Sequence, residues 1–173
     1  MYRNTLSDLF RHCIWGNLQE QLESVNTKTI GMKELKYSTE INAPRAHVWK
    51  TLWDDTTFRD WAGIIDEGTY IKGVLKEGTD VEFISSVNGY GVTSFVEKFT
   101  PDQVAFFRHK ADTQESGAKS RDNEWTGTSE RYELSERNGG TVLTFTTQVP
   151  PEQEQTFQDR LPKALARIKE LAE

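Results

Sequence analysis

One cysteine, Cys13, leaves this chain without an intramolecular disulfide, and its reduced thiol fits a reducing compartment. No apolar run approaches membrane-spanning length, so membrane insertion is not expected. Clusters of Lys and Arg are also missing. The 21 basic and 27 acidic side chains give a net charge of −6, which argues against nucleic-acid phosphates and anionic membranes as partners. The N-terminus lacks the apolar core of a secretory signal, and Asp8, Glu20 and Glu23 do not suit an acid-poor transit peptide. A Gly-x-Ser-x-Gly elbow, a phosphate loop and a dinucleotide fingerprint are all absent, so covalent catalysis and nucleotide cofactors have no motif behind them. His12 adjoins Cys13, but no further ligands follow at metal spacing. The expectation is a cytoplasmic protein with no cofactor, no metal and no covalent catalytic residue.

What the chain does have is aromatic surface. Hydrophobic residues make up only 35% of it and mean hydropathy is −0.68, yet it carries 9 Phe, 5 Trp and 5 Tyr. Each of these buries far more area than an aliphatic side chain. A length of 173 residues suits one domain with a real core and an appendage.

Residues 5–25 place Leu6, Leu9, Phe10, Cys13, Ile14, Leu18, Leu22 and Val25 on one helical stripe. A lone amphipathic helix is marginal in water, so this one must dock on its own domain, a twin in a homodimer, or a protein partner. A polar connector follows to Gly31, and Met32 stands directly before the first strand. Residues 1–31 therefore read as an appended helix and connector, and 32–173 as the domain proper. Translation starting at Met32 is the alternative.

Within the domain, Tyr37–Ile41 reads as a strand end. Pro44 then opens a helix whose apolar face carries Val48, Trp49, Leu52 and Trp53, with Asn42 or Ala43 in the cap region. Both Trp should be buried against the sheet or the closing helix. Asp54–Ile65 reads as a second short helix, capped by Asp54 or Asp55, with Phe58 and Trp61 inward. The period then changes to two. Strands are expected at Thr69–Gly73, Thr79–Val87, Tyr90–Thr100, Gln103–Lys110, Trp125–Ser135 and Thr141–Val149. Asn88-Gly89 predicts a tight primed turn, and Ala111–Asn123 a long polar loop. Glu152–Leu171 predicts the closing helix, with Pro162 kinking it or delaying its start to about Leu161.

Four stretches stand out in this order of elements: EINAPRAHVWKTLWD (Glu40–Asp54) with Phe58 and Trp61, VEKFTPDQVAF (Val96–Phe106), SERYELSERNGGTVLTFT (Ser129–Thr146) and LPKALARIKE (Leu161–Glu170). On them the chain resembles the helix-grip fold of the SRPBCC superfamily, which includes START domains and plant pollen allergens. Within it, the chain is similar to the branch named for activators of a heat-shock chaperone's ATPase. The resemblance implies an α+β architecture: a curved antiparallel sheet of about six to seven strands wrapped on a long C-terminal helix. Two short helices would follow the first strand, and the N-terminal helix would be an addition. It also implies a cavity between sheet and helix.

Strand parity supports such a cavity independently. Thr128, Glu130, Tyr132 and Leu134 share one face, as do Leu143, Phe145 and Thr147, Val81 and Phe83, and Phe95 and Phe99. Trp61, Phe83, Phe95, Glu130, Tyr132 and Phe145 are accordingly the expected cavity lining. Taken singly, each aromatic fits an ordinary core position better than a ligand contact. Glu130 points inward by parity, although pairing with Arg108 or Arg131 near the surface is the favoured reading, because Glu is rarely fully buried. His109 alternates with Phe107 and faces either the pocket or solvent. Three functions follow. The first is binding of a hydrophobic or aromatic, lipid-like small molecule. The second is a protein-interaction module of co-chaperone type, using residues 5–25. The third is a polyketide cyclase-like acid–base enzyme using Glu130, Tyr132 or His109. Binding ranks first. The chaperone activators carry a large extra N-terminal domain that 31 residues cannot supply, and the enzyme lacks an evident acid–base pair.

Overall fold

A computed structural model of the chain describes residues 31–115 and 124–173. The expected helix at 5–25 and most of the expected loop (116–123) lie outside the described residues. Lys33–Glu173 form one compact unit. Its elements are β1 (Lys33–Ile41), α1 (Arg45–Trp53), α2 (Asp55–Ile65), β2 (Thr69–Lys72), β3 (Asp80–Ser85), β4 (Tyr90–Thr100), β5 (Val104–Gln114), β6 (Ser129–Arg137), β7 (Gly140–Val149) and α3 (Glu154–Ala172). The seven strands form one curved antiparallel sheet in the order β1-β7-β6-β5-β4-β3-β2. Strands β2 to β7 meander, and β1 pairs with β7 at the far edge from β2. This is the expected helix-grip architecture.

Alternation drives the inner face. On β7, Thr141, Leu143, Phe145, Thr147 and Val149 are buried and their neighbours are not. The α3 stripe of Leu161, Ala164, Leu165, Ile168 and Ala172 is buried too. A forked pair from Arg167 to Asp60 (2.6 and 2.9 Å) clips α3 to α2. Trp49 and Trp53 are half-buried and lie on the sheet, 5.0 Å from Phe99 and 5.1 Å from Tyr132 respectively. No described helix is long and apolar enough to cross a membrane.

Several local expectations need correction. Pro44 is itself the N-cap of α1, with extended backbone (ψ 149°) and no side-chain cap bond. Asn42 is turned to another task, since its N–H donates to Glu173 Oε1 at 2.7 Å. Asp54 does cap α2, accepting from the Thr56 N–H at 3.2 Å. Helix α3 starts at Glu154 and runs through Pro162 as one element; its stripe lies on both sides of the proline, so packing outweighs one lost backbone bond. The primed turn is at Asn138-Gly139, where φ is 54° and 81° and Arg137 pairs with Gly140. At Asn88-Gly89 only the glycine has positive φ. There the Ser85 hydroxyl accepts from the Val87 and Asn88 N–H groups, and Gly89 N–H donates to the Ser85 carbonyl. These bonds close a longer turn. Strand β5 continues to Gln114, and β6 starts at Ser129 rather than at Trp125.

Candidate functional site

Helix α2, the first turns of α3 and strands β3 to β6 line a cavity of about 450 Å³ that opens to solvent, inside the size range of small-molecule sites (about 300–1,000 Å³). Its wall is aromatic. Phe58 and Trp61 come from α2, Phe83 from β3, Tyr132 from β6, Trp125 from the turn before β6, and Phe157 from α3. Phe58 meets Trp61 edge-on at 5.1 Å, and Trp125 meets Phe157 at 5.2 Å. The α2 stripe puts Phe58, Trp61 and Ala62 on one buried face. The Trp61 indole N–H donates to the Leu52 carbonyl at 3.2 Å. It thereby satisfies one of the carbonyls that the end of α1 leaves without a helical partner.

Trp125 is held by backbone chemistry rather than by strand pairing. Asp112 at the end of β5 accepts from the Glu124 and Trp125 N–H groups at 3.1 and 2.9 Å. The Thr128 hydroxyl donates to the Trp125 carbonyl at 2.6 Å. The indole therefore stands on a clamped turn at the cavity wall.

Against this wall the sheet supplies a polar floor. Ser94 on β4 and His109 on β5 are cross-strand partners, both buried, with Oγ and Nδ1 2.6 Å apart. His109 Nε2 lies 3.7 Å from Glu130 Oε1 on β6. The Tyr132 hydroxyl donates to Glu130 Oε2 at 3.2 Å. With the Ser94 hydroxyl donating to Nδ1, the imidazole keeps its proton on Nε2 and presents it to the carboxylate. The opposite tautomer would aim a lone pair at the carboxylate. Burial, and then the Glu130 charge and hydrogen bond, push the Tyr132 phenol well above its ordinary value, so it remains a donor at neutral pH. Thr147 faces Glu130 across the β6–β7 pairing, fully buried, and its hydroxyl has no partner among the described residues. This floor can accept, donate and hold protons. Among the described residues no three His, Cys, Asp or Glu side chains are grouped to hold a metal.

Of the residues singled out by sequence, Trp61, Phe83, Glu130 and Tyr132 meet at this cavity. Phe145 stands behind the wall, stacked on Tyr132 at 4.5 Å and buried in the core. Phe95 is on the opposite face, 36% exposed, with the Lys110 ammonium over its ring. A register shift between Val96 and Lys98 explains this. The inserted residue inverts parity along β4, so Val96 and Phe99 turn inward while Phe95 turns out. Surface pairing of Glu130 is also overturned, because Arg108 pairs with Glu97 and Arg131 with Glu133. Sequence reasoning missed Ser94, Trp125 and Phe157 as parts of the site. Phe157 was legible as helix stripe; the meeting of Ser94 and His109 depends on the same shift between Val96 and Lys98, without which the hairpin register would set Ser94 opposite Lys110.

No family model matches the chain, and no curated protein matches it. Solved structures do. The Aha1 dimer from Colwellia psychrerythraea is 19% identical, over 82% of this chain and 97% of that one, with a TM-score of 0.62. The chain shares the helix-grip fold. Protein Ms6760 from Mycobacterium smegmatis matches at 17% identity over 82% and 95% of the two chains, TM-score 0.60. CalU16 from Micromonospora echinospora matches at 18% over 82% and 66%, TM-score 0.56. At such identities the likeness extends to the fold, and the cavity chemistry must be argued from this chain's own residues.

Proposed function

We propose that this domain binds a hydrophobic, aromatic small molecule in the cavity between α2, α3 and the sheet. The observation that carries the reading is an apolar wall of ring side chains around a partly buried carboxylate. Ordinary cores exclude space of this size, and small-molecule sites combine apolar walls with a few placed polar groups. The test is titration with the neutral dye N-phenyl-1-naphthylamine, followed by fluorescence. One-to-one binding is expected. Val92 lines the cavity opposite Phe83 in the β3–β4 register, so Val92→Trp fills it. That substitution should weaken the dye by about tenfold or more, with a circular dichroism melt confirming a folded variant. Undiminished binding in the folded variant would place the dye elsewhere.

Residues 1–31 are an appendage in this reading, and its apolar stripe suits a contact with a second copy of the chain. Two features support the division. Strand β1 begins at Lys33, and Lys33–Glu173 have their own buried core. Deleting residues 1–31 is expected to leave a domain that melts cooperatively and still takes up the dye. If the appendage joins two copies, sedimentation will show the full chain as a dimer and the truncated one as a monomer. A truncated chain that fails to fold would make the appendage part of the core.

A further inference from the structure

The polar groups around the cavity are unevenly matched. Glu130 offers up to about four lone-pair sites. The Tyr132 hydroxyl takes one, and the His109 Nε2 contact, at 3.7 Å, is too long for a full hydrogen bond. The Glu130 side chain is 20% exposed, so it is reachable from the cavity. Cationic capacity is scarce by comparison. Among the described residues Arg160 is the one Lys or Arg on the cavity wall; it sits at the exposed rim, and its Nη1 donates to the Ile65 carbonyl at 2.6 Å. Asp66 adds a second carboxylate to the wall. In the tautomer that aims the His109 Nε2–H at Glu130, the Ser94 proton is directed at His109, and the two donors beside Glu130, the imidazole N–H and the Tyr132 hydroxyl, both face its carboxylate.

An unfilled acceptor at the base of an apolar cavity, with no fixed cation beside it among the described residues, discriminates between ligand classes. A ligand hydroxyl laid against Glu130 gains a charge-assisted hydrogen bond. A ligand carboxylate in the same place meets a like charge in a partly water-excluded space and leaves its own acceptors unpaired. The rings on the wall favour a flat aromatic body. We infer that the cavity selects aromatic molecules whose polar end donates a hydrogen bond, phenols being the type, and rejects aromatic or fatty carboxylates of the same size. This rests on the binding reading above and assigns Glu130 as the residue that sets the specificity.

Three probes of nearly equal shape test it: naphthalene, 2-naphthol and 2-naphthoate, each competed against N-phenyl-1-naphthylamine at neutral pH. In the wild-type protein 2-naphthol should displace the dye at about a tenfold lower concentration than 2-naphthoate, the scale of one charge-assisted bond. Glu130→Gln removes the charge and adds a donor. It should weaken 2-naphthol, strengthen 2-naphthoate and bring the two within about threefold. Tyr132→Phe releases an oxygen of Glu130 from its internal donor and should raise the preference for 2-naphthol, which keeps the inference testable if the Gln variant does not fold. Equal displacement by 2-naphthol and 2-naphthoate, with naphthalene also binding, overturns this inference alone. So does a preference that survives Glu130→Gln unchanged. If none of the three displaces the dye, the cavity reading falls with it.

Discussion

Gly91→Ala is expected to be the most destabilising single substitution in the sheet. Gly91 lies on β4 opposite Ile84 of β3. A methyl group there would stand 1.9 Å from the Phe83 carbonyl oxygen and 2.8 Å from the Ile84 Cα. Both obstacles are backbone in the middle of a ladder, so relief requires the two strands to part. The cost should exceed about 4 kcal/mol, a range reached only by a few named mechanisms and a large share of a typical stability of about 5–15 kcal/mol. Gly139→Ala is the control. It has positive φ (81°) but open space around the new methyl, so only the conformational penalty of about 1–2 kcal/mol applies. Urea unfolding followed by circular dichroism reads both. A Gly91→Ala variant as stable as the wild type would mean that β3 and β4 are not packed this closely, and the cavity wall at Phe83 and Val92 would have to be redrawn.

Elements specified by neighbours in sequence were legible. The α2 stripe, the α3 stripe and the β7 alternation each repeat over enough residues to name their face without knowledge of the partner. Glu130 was readable as inward for the same reason, since Glu130, Tyr132 and Leu134 follow one parity on an uninterrupted strand. Its partner was not readable. His109 reaches Glu130 only after the β4–β5 and β5–β6 registers are set, and two irregularities interrupt the first of these. One of them, between Val96 and Lys98, also sends Phe95 outward. A bulge leaves little trace in side-chain pattern, because Ser94-Phe95-Val96-Glu97 reads equally well in either phase. Trp125 illustrates a different limit. Its position follows from the Asp112 carboxylate gathering two backbone N–H groups, a local polar contact that mimics neither periodicity.

Trp61 joins the core and the cavity, and two substitutions there separate its roles. It is 2% exposed, touches Phe58 and Tyr132, and bonds the Leu52 carbonyl through its indole N–H. Trp61→Ala removes the ring and the bond together and should cost about 3–5 kcal/mol, as other buried aromatic truncations do. Trp61→Phe keeps much of the apolar volume but strands the Leu52 carbonyl, so about 1–3 kcal/mol is expected from the unmet acceptor. The dye should rank the same two variants in the same order. Phenylalanine preserves a ring on the wall, so binding should persist near wild-type strength. Alanine merges the vacated indole space with the cavity, which loosens the fit, and added indole should restore part of the melting temperature by refilling it. Equal destabilisation by Ala and Phe would assign the whole effect to the Leu52 bond. Trp61 would then be a clamp on the end of α1, and the cavity wall would owe its shape to its other rings, Phe58, Phe83, Trp125, Tyr132 and Phe157.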